Sequence, residues 1–278
     1  MIEIGKTNRL IVLRTVDFGV YLDGENLGDI LLPARYISSP LAAGDAIDVF
    51  IYNDSEDRLI ATTEQPLAQV NTAAYLRVVA SNRYGTFLDW GLPKDLLVPY
   101  REQYAKMREG LRYPVFVYLD HSTGRIVASA KIEHFLNNLP PDYKRGQSVE
   151  ILIYKETEIG FKAVIENLHT GMVYKNEIFS NVAIGDRLTA RIKQVRPDGK
   201  IDLILGGSAA ERTDSLAQRI LDEAKAKGGR LNLSDRSSPE VIADAFGCSK
   251  KDFKKALGNL YRERLITINP DSIELVLR

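Results

Sequence analysis

The run Arg83-Tyr84-Gly85-Thr86-Phe87 sets two aromatic rings around a glycine, and Tyr100, Arg101, Tyr104, Lys106 and Arg108 follow. Rings interleaved with cations can do two things. A ring stacks on any planar ligand face, and a neighbouring guanidinium or ammonium contacts an anion. Phe18-Gly19-Val20-Tyr21 repeats the arrangement, whereas Ile159-Gly160-Phe161-Lys162 keeps the glycine but offers a lysine. Covalent chemistry finds less support. Cys248 precedes a helix start, which can lower a thiol pKa, but no histidine lies near it in sequence. His121, His134 and His169 are scattered, and Asp54, Glu56 and Asp57 share one turn, which reads as solvated rather than metal-binding. No Gly-x-x-x-x-Gly-Lys-Ser/Thr loop occurs. The residues point to a non-enzymatic binding protein with no cofactor and no metal.

The elements that must position these rings are repeated. Gly19, Gly85 and Gly160 each open a short apolar strand, and Gly44, Gly110 and Gly185 follow 25 residues later in each case. A period near 70 residues is too long for a solenoid, so each copy should be a small domain with its own core. In the second copy five strands are expected, at Tyr75–Ser81, Gly85–Asp89, Leu96–Val98, Tyr113–Asp120 and Arg125–Lys131. Short strands between Gly/Asp/Pro turns predict an antiparallel barrel. In the third copy Leu188, Ala190 and Ile192 alternate with Thr189, Arg191 and Lys193. The same register turns Asp48, Phe50 and Tyr52 outward in copy one, and Pro114, Phe116 and Tyr118 in copy two. Outward aromatics need either a covering domain or a stacked ligand.

Apolar content of 45 % and charged content of 27 % are those of a globular chain. No apolar run is long enough for a membrane span, the start does not read as a signal peptide, and one cysteine excludes an internal disulfide. A cytoplasmic protein without membrane contact is expected. Net charge is zero, but residues 1–66 carry 5 Lys/Arg against 11 Asp/Glu, while the later regions are each +2. A polyanion should therefore avoid the first copy.

Past Gly206-Gly207-Ser208 the periodicity turns helical. Helices are expected over Ser215–Lys227, from Ser238-Pro239-Glu240 to Gly247, and from Ser249 to Arg262, with a two-stranded wing at Leu265–Ile268 and Ile273–Leu277. The third helix carries an apolar stripe of Phe253, Ala256, Leu257, Leu260 and Tyr261, opposite Lys250, Lys251, Lys254 and Lys255.

The segments FGVY…GDILLP, YGTF…KDLLVP, GLRYPVFVYLD and GRIVASA resemble the S1 RNA-binding domain, an OB-fold barrel. Three helices and a hairpin resemble a winged helix, with Ser249–Arg262 in the recognition position. The combination, and the tail SKKDFKKALGNLYRERLI in particular, resembles the conserved virulence factor B family. The resemblance implies a mainly β chain of three tandem S1/OB-fold antiparallel barrels followed by an α/β winged-helix domain, with boundaries at 1–66, 67–143, 144–210 and 211–278. It implies a non-enzymatic, cytoplasmic RNA-binding protein affecting expression of other genes. Taken with the residues, the expectation is a monomeric regulator acting after transcription, with single-stranded RNA as partner and a ribosome or other RNA–protein complex as a further one.

By that resemblance Tyr84 and Phe87, and in copy one Phe18 and Tyr21, would stack on bases. Arg83, Tyr100, Arg101 and Phe116 would border the RNA, which would run on across the third barrel. There Lys162, Arg191 and Lys193, with Lys250, Lys251, Lys254 and Lys255 of the winged helix, would meet phosphates. The first copy could instead be a cap, with Phe50 and Tyr52 inside its contact with copy two. Two other readings stay open: a scaffold docking on a ribosomal or transcription partner, and a DNA-binding regulator acting through the winged helix.

Overall fold

A computed structural model describes residues 2–178, 181–205 and 209–276. The chain forms two compact units, residues 1–136 and 137–278. The first unit holds two barrels. Barrel one is built from β1 (Thr7–Val16), β2 (Gly19–Asp23), β3 (Asp29–Pro33), β4 (Ala46–Asn53) and β5 (Leu59–Thr62), and barrel two from β6 (Thr72–Ser81), β7 (Gly85–Asp89), β8 (Leu96–Pro99), β9 (Arg112–Asp120) and β10 (Arg125–Ser129). The second unit opens with barrel three: β11 (Ser148–Glu156), β12 (Gly160–Ile165), β13 (His169–Tyr174), β14 (Arg187–Val195) and β15 (Ile201–Leu205). In each copy the strands close in the order first, second, third, fifth, fourth, with the third and fifth parallel. The repeat predicts a small barrel in each copy, and this closure is the OB type that the resemblance implies.

The recurring glycines have separate physical reasons. A Cβ on Gly19, Gly85 or Gly160 would lie 2.1–2.2 Å from the carbonyl oxygen of Leu32, Val98 or Val173, so the close approach of the third strand forbids any side chain. Gly44, Gly110 and Gly185 have φ of +98°, +82° and +99°, and a Cβ on Gly44 or Gly110 would meet open space. Their amides donate to the carbonyls of Val12, Val78 and Ile153, each beside the bulge of its barrel's first strand. The amides of those same three residues donate back to Asp45, Leu111 and Asp186. One glycine admits a neighbouring strand, and the other ties the fourth strand's entrance to the first.

The two kinds of glycine should respond differently. Gly85→Ala is expected to cost about 3 kcal/mol, the upper end for overpacking, because backbone cannot move aside. Gly110→Ala should cost about 1–2 kcal/mol, the penalty of a left-handed conformation alone. Equilibrium denaturation of both variants checks the ranking.

The first two barrels share an apolar boundary. Phe50 and Tyr52 point out of barrel one, as the register predicts, and are 2 % and 3 % exposed because Trp90 of barrel two meets both rings edge-on at 5.8 and 6.4 Å. The capping alternative is the one observed for these two residues. Burial, and then Tyr36, push the Tyr52 phenol well above its ordinary pKa.

The second unit continues with α1 (Ala209–Ala226), β16 (Arg230–Leu231), α2 (Pro239–Phe246), α3 (Lys250–Arg262), β17 (Ile266–Ile268) and β18 (Ile273–Leu275). The Ser238 side chain caps α2, and Gly247, at φ +64°, ends it. Ser249 caps α3 by accepting from the Asp252 amide while donating to its carboxylate at 2.6 Å. Three differences from expectation have local causes. Helix α1 starts six residues earlier than Ser215. The wing sheet gains β16 as a third strand, too short to show periodicity. Tyr261 is 60 % exposed and leaves the stripe, whereas Phe253, Ala256, Leu257 and Leu260 are buried. Gly206-Gly207-Ser208 and Leu277 lie outside the described residues.

Candidate nucleic-acid interface

On barrel two the turn between β6 and β7 is built around Asn82. Its amide donates to the Gly85 carbonyl, its side chain accepts from the Tyr84 amide at 2.8 Å, and its carbonyl accepts from the Tyr100 hydroxyl at 2.7 Å. Both phenol rings are thereby held at one mouth. Tyr84 is 60 % exposed, and Arg83 lies along it, with Cζ 4.8 Å from the ring centre and Nη2 donating to Oη at 2.6 Å. Phe87 is half-buried on the outer side of β7, across from Leu97 of β8. The expected set Arg83, Tyr84, Phe87 and Tyr100 is thus brought together. Arg101 is exposed nearby in sequence but sits between Glu102 and Asp120, at 3.7 and 3.9 Å.

Tyr84 and Phe87 form one wall of a groove of about 580 Å3, inside the range of small-ligand sites. Leu97 and Val127 lie in its floor, and Lys94 and Arg125 line it. The opposite wall comes from barrel one. Asp57, at the turn between β4 and β5, pairs with Lys94 at 2.9 Å and with Arg125, and Lys94 Nζ also donates to the Asp54 carbonyl. The acidic turn is a hairpin turn, as expected, but it is a clasp on barrel two rather than a solvated loop. No sequence spacing announces it, since the partners are 37 and 68 residues apart.

The hydrogen bond from Lys94, followed by the charges of Lys94 and Arg125, holds the Asp57 carboxyl below its ordinary 3.8. A depressed folded-state pKa means that the clasp contributes above the unfolded value and is lost as pH falls through the folded one. We expect Asp57 to titrate below 3.8 by carboxyl-carbon NMR, and Lys94→Met to move that midpoint upward.

Phe116 leaves the candidate set. It is 3 % exposed and stacked at 4.9 Å on Phe135, which belongs to the 3-10 turn Ile132–Phe135 and also covers Tyr118 at 4.7 Å. Barrel one keeps an aromatic pair on its surface. Phe18 is 58 % exposed, 6.3 Å from Tyr21, and Arg14 lies over Tyr21 at 4.1 Å while pairing with Asp29.

On barrel three Ile159 is exposed and Lys162 half-buried. Arg191 donates to the Gly146 carbonyl at 3.3 Å, and Lys193 is paired with Glu177. On α3, Lys250 reaches the Arg236 carbonyl at 3.3 Å and Lys254 lies 3.7 Å from Asp235, leaving Lys251 and Lys255 as the more outward cations. Cys248 is 3 % exposed, and burial pushes its thiol up to about 11, which removes the nucleophile that its place before a helix suggested. No helix among the described residues is long and apolar enough to cross a membrane.

The S1 domain family matches residues 4–64 and 72–131, and the CvfB-like winged helix domain matches residues 218–275. Conserved virulence factor B of Staphylococcus saprophyticus is 28 % identical over 264 residues, covering 91 % of this chain and 88 % of that protein. The Staphylococcus aureus (strain USA300) protein of the same name is 28 % identical over 243 residues, covering 84 % and 81 %. A crystal structure of a multidomain protein with nucleic acid binding domains from Streptococcus pneumoniae spans 98 % of both chains at 24 % identity, with a TM-score of 0.42. Barrels and matches together define a chain of S1-type domains closed by a winged helix, domain types that bind nucleic acid. Over most of its length the chain is similar to proteins named conserved virulence factor B, and its C-terminal part matches the winged-helix domain model of that type.

Proposed function

We propose that the protein is a non-enzymatic regulator that binds single-stranded RNA, with the mouth of barrel two as its principal contact. The observation that carries this reading is the Tyr84 ring, 60 % exposed, backed by Arg83 and opening onto the groove that Phe87 lines. Each base has a π-face, so such a platform accepts any sequence at about 1–3 kcal/mol per base stacked. A duplex hides its base faces, which is why the platform selects single strands. Barrel three and the lysines of α3 add weaker contacts, and covalent linkage raises their effective concentration. The same reading makes the protein a cytoplasmic monomer acting on RNA after transcription.

Fluorescence anisotropy with labelled single-stranded RNA, matched single-stranded DNA and duplex RNA tests it, at about 50 and 200 mM salt. Saturable binding that favours single-stranded RNA, with a moderate salt slope, is the expected result. Absence of binding to all three at low salt would overturn it in favour of the protein-scaffold reading.

A further inference from the structure

Barrel three lacks the aromatic pair, yet its corresponding face carries a different device. The parallel pairing of third and fifth strands aligns the three copies: Leu31 with Ile60, Leu97 with Val127, and Met172 with Asp202. In barrel two the Leu97–Val127 pair lies in the groove beneath Tyr84 and Phe87. The position of Asp202 is therefore apolar in the two other barrels, which close without a charge there.

Asp202 is nonetheless 3 % exposed, and a buried carboxylate is unfavourable unless it is paired and hydrogen-bonded. It is fully engaged. Arg196 donates to it through Nε at 2.9 Å and holds Nη2 2.9 Å from its other oxygen as an ion pair, and Gln194 donates at 2.7 Å. Burial opposes the charge, but these bonds outweigh it and hold the carboxyl below its ordinary pKa.

The fold does not demand this cluster, so its effect must be sought in what it orients. The two-point bond to Asp202 locks the Arg196 guanidinium, and Nη2 also donates to the Tyr174 hydroxyl at 2.5 Å, with the ring centre 6.0 Å away. These bonds use Nε and Nη2 and leave Nη1 for an incoming acceptor, on a side chain 38 % exposed. A fixed guanidinium plane stacks on bases as an aromatic ring does, and its remaining donors reach phosphate oxygens. Arginine is laid against tyrosine on the other barrels too, by Arg14 on Tyr21 and Arg83 on Tyr84.

We propose that Arg196, locked by Asp202 and Tyr174, is the base-stacking and phosphate-contacting residue of barrel three, taking an unpaired nucleotide where barrel two uses aromatic rings. The proposal rests on the RNA reading above, and it displaces Lys193 and Arg191 as the main contacts of that barrel.

Two variants of the full chain test it by anisotropy with a labelled single-stranded RNA of mixed sequence. Arg196→Lys keeps the charge and removes the plane. Arg196→Leu combined with Asp202→Val restores the apolar character of barrel two, leaves the net charge unchanged and avoids an orphaned carboxylate, so the fold should survive in a thermal melt. Both are expected to bind about five- to tenfold more weakly, the loss of roughly one stacked base, with an unchanged salt slope for Arg196→Lys. If either folded variant binds like the parent while Tyr84→Ala with Phe87→Ala binds weakly, the Arg196 proposal is overturned and the RNA reading stands. If the parent itself binds no RNA, both fall together.

Discussion

Replacing Tyr84 and Phe87 together by alanine is expected to weaken single-stranded RNA binding at least tenfold while the melting transition of the first unit moves little. The expectation follows from where the rings sit. Tyr84 is 60 % exposed, so its truncation removes little packing, and Phe87 stands on the outer face of β7, outside the barrel core that Leu88 fills. Each stacked base is worth about 1–3 kcal/mol by alanine substitution. The two rings line one groove, so their effects need not add, and tenfold is the lower bound. Anisotropy titrations of parent and double variant, with circular dichroism to confirm the fold, decide the matter. Equal affinity in a folded double variant would end the stacking account.

The second large effect is on stability. Trp90→Ala should destabilise the first unit by about 3–5 kcal/mol, the range for truncating a buried aromatic. Trp90 is 3 % exposed, its indole N–H donates to the Lys94 carbonyl at 2.7 Å, and its ring meets Phe50 and Tyr52 edge-on. Removing it strips cover from two rings of the neighbouring barrel and loosens the loop before β8 that carries Lys94, and with it the Asp57 clasp. Denaturant unfolding followed by circular dichroism should show the midpoint fall and a single transition split in two. A loss below 1 kcal/mol with one intact transition would show that the barrels are held together elsewhere. The parent's own unfolding is readable by fluorescence, because Trp90 is the chain's single tryptophan.

Much of the architecture was legible because glycine requirements are strict. A carbonyl 2.1–2.2 Å from a hypothetical Cβ tolerates no other residue, so the first glycine recurs in every copy, and a left-handed turn tied to a strand bulge explains the second. The strands of copy two accordingly lie within a few residues of their expected bounds. The rings Tyr84, Phe87 and Tyr100 were also legible, since their local run dictates a shared mouth.

What crosses between elements was not. Alternation turns Phe116 outward but says nothing about Phe135 lying on it. The Asp57 clasp joins residues far apart in the chain. Arg196 and Asp202 look like any surface pair flanking a hairpin, and only the aligned registers of the barrels show that the carboxylate replaces an apolar floor residue.

The Phe50–Tyr52 contact with Trp90 also bears on how the chain emerges during synthesis. Barrel one can close as soon as β5 is available, but its two outward rings must then wait about 30 residues more for Trp90 to cover them. At about 5–20 residues per second that interval lasts several seconds. Throughout it the nascent chain presents a sticky aromatic patch at the ribosome surface, on an otherwise acidic domain of net charge −6. That like-charge surplus would keep neighbouring nascent copies apart until the second barrel arrives to shield the rings.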